Sequence, residues 1–207
     1  MNGIAAPDTP LIADAVEYAR SHYEPYLFNH AIRSWLFAVK IGRAQATRVD
    51  DEVVAVAALL HDLGLTPAFA GPYRFEVDGA NAARAFARAH GVDDRRAQLI
   101  WDSVALHSTP SIGQHKEPEV ALCGAGICLD YSGDGVDKVP ADELAVVLDA
   151  FPRLEMKQRL KTCFRHLALT KPETTYGGFV RDFGERFVAG YRAPSGVDVM
   201  MNAPFDE

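Results

Sequence analysis

Residues 55–64 read AVAALLHDLG, six apolar residues followed by His61-Asp62 and a glycine. An apolar run of this kind, opened by the acidic residues Asp50, Asp51 and Glu52 and stopped by Gly64, predicts a core helix whose last turn carries two ionisable side chains. Burying a histidine and an aspartate without partners costs several kcal/mol, roughly 2–7 for each neutral polar group alone. A divalent cation removes that cost, because neutral imidazole and carboxylate are good ligands for one. His61 and Asp62 are therefore candidate metal ligands, and further ligands must come from other helices.

Outward from this stretch, the pattern stays helical. Asp8-Thr9-Pro10 is a start signal for a short amphipathic helix to about His22. From Tyr26 to Ala46 the apolar residues Ile32, Leu36, Val39 and Ile41 recur on a helical period, which puts His30 in the first turn of a long helix. Residues 65–74, rich in proline, glycine and aromatics, read as an ordered loop. FEVDGANAARAFARAHG is then a helix stopped by Gly91, and Asp93-Asp94 opens another that runs to about Leu106, with His107 at its end. STPSIGQHKEP reads as breaker-rich loop. PEVALCGAGICLDYSG is too long for a strand and reads as a helix ending at Asp130, with Gly124 and Gly126 as sites of close helix packing. Three more helices follow, and no useful strand pattern appears. The fold class is all-α, with an N-terminal helical extension over 1–25, one domain with its C-terminal helices over 26–192, and an irregular tail over 193–207.

His30 and Asp130 are the best-placed polar residues on apolar helical segments either side of the pair. Taken singly, His30 also reads as a helix-start histidine and Asp130 as a cap of the YSGDG turn. Only the joint arrangement makes a ligand set of His30, His61, Asp62 and Asp130, suited to one divalent ion (zinc first, iron or manganese otherwise) with room left for water.

Composition narrows the partners. With 207 residues, 48% hydrophobic and 24% charged, the chain is long enough for one sizeable core and has ordinary globular composition. A net charge of −7 without a Lys/Arg cluster disfavours nucleic acid and points to a small-molecule substrate. Three cysteines in no CxxC pattern suggest neither a disulfide framework nor a zinc ribbon. No apolar run approaches membrane-spanning length and no leader pattern opens the chain, so cytoplasm is the expected compartment and no membrane partner is expected. A homo-oligomer is compatible with all of this.

FNHAIRSWLFA, AALLHDLGLT, RFEVDGANAARAF and AGICLDYSGDG, in that order, resemble the motif series of the HD-domain superfamily, and particularly its cyanamide hydratase-like branch. The resemblance covers roughly residues 28–140. It implies a helical HD bundle in which the first histidine, the His-Asp pair and a late aspartate hold the metal, which fall on His30, His61, Asp62 and Asp130. The FE-glycine segment implies that Glu76 orients a ligand histidine through a hydrogen bond. Some members bind a second metal through two further histidines, but His90, His107 and His115 lack convincing spacing for that, which also sets aside di-iron oxygenase chemistry. His90 and His115 read as surface residues.

His107 reads as a substrate or proton-transfer contact, and Asp62 as both ligand and proton acceptor. Arg33 is expected to pair with a carboxylate near the site or to line a polar face. Phe28, Trp35, Phe69, Tyr73 and Phe75 are candidate pocket walls, with core the simpler role for Phe28 and Trp35. The expected function is a metal-dependent enzyme that activates water to hydrate or hydrolyse a small cyanamide-like nitrile or C–N compound. The alternatives are a phosphohydrolase acting on a nucleotide or small phosphoester, and a non-catalytic, metal-stabilised helical binding module. Phosphatase-like relatives often carry a carboxylate just after the His-Asp pair, and LGLT offers none.

Overall fold

A computed structural model describes residues 6–46 and 48–205. The fold is all-α, as the sequence predicts, and no strand occurs among the described residues. The chain divides into two compact units, residues 1–156 and 157–207.

The first unit holds α1 (Pro10–His22), α2 (Pro25–Ala44), α3 (Asp51–Leu60), α4 (Phe75–Ala89), α5 (Asp94–Leu106), α6 (Pro110–Gly113), α7 (Pro118–Ser132) and α8 (Ala141–Ala150). At its centre, every residue of α3 from Val53 to Leu60 is buried. Each fully buried Val or Leu stabilises the fold by about 1.5–3 kcal/mol, so this short helix anchors the unit well beyond its helical propensity. Its N-terminus is capped by Asp50, whose side chain accepts from the backbone N–H of Glu52 and Val53 at 3.1 and 3.2 Å. Arg96 of α5 pairs with Asp50 and Glu52 at 2.7 and 2.6 Å, and the Thr9 hydroxyl donates to Glu52 at 2.7 Å. One acidic helix start thereby ties α1, α3 and α5 together.

Two close approaches set the geometry around the pair. After His61, the C-cap of α3, a single 3-10 turn (Leu63–Leu65) lies against α4. A Cβ on Gly64 would stand 2.0 Å from the Phe75 carbonyl oxygen, and one on Gly79 would stand 3.2 Å from the His61 carbonyl oxygen. The glycines of LLHDLG and FEVDG are thus what lets two backbones meet directly behind the pair. On the other side α7 crosses α2 at Gly126, where a Cβ would fall 2.3 Å from the Ser34 carbonyl oxygen; Gly124 meets nothing. The expected close packing is therefore a property of Gly126 alone.

The second unit holds α9 (Met156–Thr170) from Lys157 onward, then α10 (Val180–Phe187) and α11 (Gly196–Met201). Phe164 is buried, with the rings of Phe179 and Phe183 each 5.0 Å away, and Thr175 and Tyr191 join hydroxyls at 2.7 Å.

Three local expectations are corrected. His30 is the sixth residue of α2, in its second turn rather than its first; the helix starts at Pro25, and a start at Tyr26 would also have put His30 past the first turn of about 3.6 residues. The breaker-rich stretch after His107 contains the one-turn helix α6, started by Pro110 with its preset φ. The tail, read as irregular, carries α11, capped by the Ser195 side chain on Asp198 N–H at 3.4 Å. No helix among the described residues is long and apolar enough to cross a membrane.

Because the Gly126 contact is with backbone, which has little freedom to give, Gly126→Ala is expected to cost about 3 kcal/mol, the upper range for overpacking. Gly124→Ala is expected to be neutral or slightly stabilising through helix propensity. Denaturant melts of the two variants test this.

Candidate metal centre

The pair sits where α3 ends, and α2 brings His30 to it. His30, His61 and Asp62 are all buried and present one ligand atom each to a common point. The two Nε2 atoms are 3.2 Å apart, Asp62 Oδ2 lies 3.2 Å from His61 Nε2, and 3.7 Å separates it from His30 Nε2. Tetrahedral ligands about 2.0–2.1 Å from zinc are separated from one another by roughly 3.3 Å, so these edges suit a borderline divalent ion.

Hydrogen bonding fixes the tautomers in the same sense. His61 Nδ1 donates to the Ala58 carbonyl oxygen at 2.8 Å, and His30 Nδ1 to Asp130 Oδ2 at 2.6 Å. Both Nε2 lone pairs are left facing each other and the Asp62 carboxylate. Such an assembly of acceptors is stable only around positive charge.

A proton on His61 also supplies part of that charge. Burial works against a charge on His61, yet the attraction and hydrogen bond of Asp62 outweigh it and raise its pKa. For His30 burial dominates and the pKa falls in spite of Asp130. Asp62 is held well below the usual carboxylate range: burial opposes its charge, but His61, then His30 and His107, more than compensate.

Asp130 occupies a different position from the one expected. Its carboxylate accepts from His30 Nδ1, on the side of the ring away from the ligand point. Arg33 grips it with two donors, Nε to Oδ1 at 2.7 Å and Nη2 to Oδ2 at 2.8 Å, while Arg153 Nη1 donates to Oδ1 at 3.1 Å and to the Asp130 carbonyl oxygen at 2.8 Å. With its lone pairs taken up in this way, the structure does not bring Asp130 into the ligand group; it holds a ligand histidine from behind. Arg33 pairs with a carboxylate as expected, and its remaining donors reach the Phe151 and Pro152 carbonyl oxygens and Met156 Sδ.

His107 is brought to the centre. Its Nδ1 donates to the Val104 carbonyl oxygen at 2.6 Å, its Nε2 stands 3.9 Å from Asp62 Oδ1, and its ring meets those of His61 and Phe75 edge-on. Burial, then the proximity of His61, lowers its pKa to about 4, so it is neutral at pH 7. Glu76 is buried but bonds no ligand histidine: it accepts from Ser108 at 2.6 Å and Arg74 at 2.7 Å, bracing the residue next to His107.

Phe69 and Tyr73 do not wall this centre. Phe69 lies 5.0 Å from the His22 ring and 6.0 Å from the Tyr18 ring on α1, and Tyr73 is 58% exposed. Trp35 is core, and His90 and His115 are exposed. Two contributors escape sequence reasoning. Tyr23, just past α1, sets its hydroxyl 3.2 Å from Asp62 N–H as acceptor, and Arg153 reaches Asp130 from the α8–α9 connection. Neither belongs to a motif, and only tertiary folding brings them there.

Fold and site together define a helical domain with a buried His–His–Asp group suited to a divalent metal. The family model of the HD domain matches residues 27–157, more than half of the chain, and the chain belongs to that family. HD domains are in general metal-dependent hydrolases, which gives this chain metal-dependent enzyme chemistry in the broad sense. A comparison with curated proteins found no match.

Arg33→Met is expected to destabilise the protein by about 3–5 kcal/mol, because it strands the Asp130 carboxylate in the interior; urea unfolding measures it. The lowered pKa of His107 carries a second expectation. Below about pH 6.5 the unfolded chain takes up a proton that the folded one refuses until about pH 4, so stability falls as pH drops through that interval. His107→Gln should flatten this part of the melting-temperature profile, and an unchanged slope would refute the assignment.

Proposed function

We propose that this protein is a mononuclear, zinc-dependent hydratase or hydrolase of a small neutral C–N compound, cyanamide-like in character. The observation that carries the reading is the state of the cations around the centre. Arg33 is committed to Asp130, Arg74 to Glu76, and Lys116 to Asp102 and Glu117 at 3.0 and 3.3 Å. Phosphoester chemistry asks for cations aimed at the transferred group, and these three are spent on carboxylates of the chain itself. A neutral substrate needs none.

His30, His61 and Asp62 would hold the ion. When bound, it supplies an acidified water and a Lewis acid at one point. Asp62 divides its oxygens, Oδ2 toward the two imidazoles and Oδ1 toward His107 Nε2, so Oδ1 is placed to accept a proton. Neutral His107, with its Nε2 lone pair on that side, is the next acceptor along. Tyr23 fixes the Asp62 backbone. No second group of three His, Cys, Asp or Glu side chains gathers among the described residues, which favours one ion.

Elemental analysis of wild type and His61→Ala, with urea and phosphate assays on cyanamide and a nucleotide panel, tests the reading. About one zinc per chain, lost in the variant, with urea formed from cyanamide, is the expected result. Phosphate release instead would establish the phosphohydrolase, and bound metal without turnover of any substrate would leave a binding module.

A further inference from the structure

Helix α1 lies ahead of the range that the HD-domain family matches, which begins at residue 27, yet it is joined to both ends of the helix that leads into the His-Asp pair. At its start, the Thr9 hydroxyl accepts from the Ile12 N–H at 3.4 Å and donates to Glu52, in the first turn of α3, at 2.7 Å. At its end, Tyr23 is buried, and its own N–H donates to the Ala19 carbonyl oxygen at 2.9 Å. The Tyr23 hydroxyl oxygen then stands 3.2 Å from the Asp62 nitrogen as acceptor. α1 therefore spans α3 from its first turn to a metal ligand.

The contact at Asp62 answers a deficit that the ligand pair itself creates. In a continuing α-helix the Asp62 N–H would bond the carbonyl four residues back, which is that of Ala58. That carbonyl oxygen accepts instead from His61 Nδ1 at 2.8 Å, the bond that turns His61 Nε2 toward the ligand point. α3 has ended at Leu60, and Asp62, with φ −100° and ψ 11°, already opens the 3-10 turn Leu63–Leu65. A buried N–H left without an acceptor costs free energy, which is relieved by turning the peptide toward another one. The Cα–Cβ direction of Asp62 turns with that peptide. With it moves the carboxylate whose Oδ2 lies 3.2 and 3.7 Å from the two Nε2 atoms. The acceptor that prevents this comes from outside the matched range.

We infer that Tyr23 is a positioning residue of the metal centre and that α1 is a working part of it: the phenol oxygen fixes the Asp62 peptide and so sets the Asp62 carboxylate toward the two imidazoles. The inference rests on the His30, His61 and Asp62 metal group and not on which substrate the centre turns over.

Zinc and cobalt(II) binding by the full chain tests it, with affinity read by competition against a chromophoric chelator. Tyr23→Phe removes the acceptor and keeps the ring. Its zinc affinity is expected to fall about 10–100-fold, and the ligand-field spectrum of the cobalt-loaded protein should change. Ala13→Gly weakens α1 at an exposed position without touching the hydroxyl, so it should lower the melting temperature of the metal-free protein and leave affinity and spectrum as in wild type. Zinc affinity and cobalt spectrum unchanged in Tyr23→Phe overturn the inference. An equal loss of affinity in Ala13→Gly also overturns it, because α1 would then support the fold and no more. If Tyr23→Phe does not fold, Tyr23→Met, which also lacks the oxygen, is read in the same way. Wild type that takes up neither ion overturns the metal centre itself, a result distinct from tight binding that ignores Tyr23.

Discussion

The centre depends on a single buried carboxylate. Asp130, with no side-chain exposure, lies under an equally buried Arg33, and these two charges join α7 to α2 at the level of His30. An ion pair this deep is stable only when its geometry is complete, because desolvation otherwise exceeds the attraction. Completion comes from the bidentate guanidinium, from Arg153, and from His30, which donates its Nδ1 proton and so turns its Nε2 toward the metal point. The Gly126 crossing lets α7 approach closely enough for this, and the Arg33 bonds to the Phe151 and Pro152 carbonyl oxygens place the turn after α8. Histidine orientation, helix crossing and the turn after α8 therefore have a common origin.

The sequence made the helices and the His-Asp pair legible because both follow local rules. Caps at Asp50 and Asp93, the stop at Gly91 and the apolar run before His61 are encoded within a few residues of where they act. Function divided among three distant helices is harder to read. Asp130 was visible as a polar residue on an apolar helix, but nothing local says whether its oxygens face a metal or an arginine 97 residues away. The same limit hid Tyr23 and Arg153, whose roles arise wholly from where α1 ends and where the α8–α9 connection turns. Glu76 was expected to bond a ligand histidine, and its actual partner was not legible, since Ser108 and His107 are neighbours in the chain and the carboxylate bonds only one of them.

The placement of Asp130 also bears on reactivity. A divalent ion held by two neutral imidazoles and Asp62 alone retains one net positive charge, whereas a second coordinated carboxylate would cancel it. With an ion bound, that retained charge would make it the stronger Lewis acid. The Asp130 charge is compensated instead by Arg33 and Arg153, outside the ligand group, so it strengthens His30 as a donor without neutralising the ion. In such a centre the ion would supply the acidity and the chain the acceptors. Asp62 Oδ1 and His107 Nε2 stand 3.9 Å apart at that point, and burial is the first cause of a His107 pKa lowered to about 4.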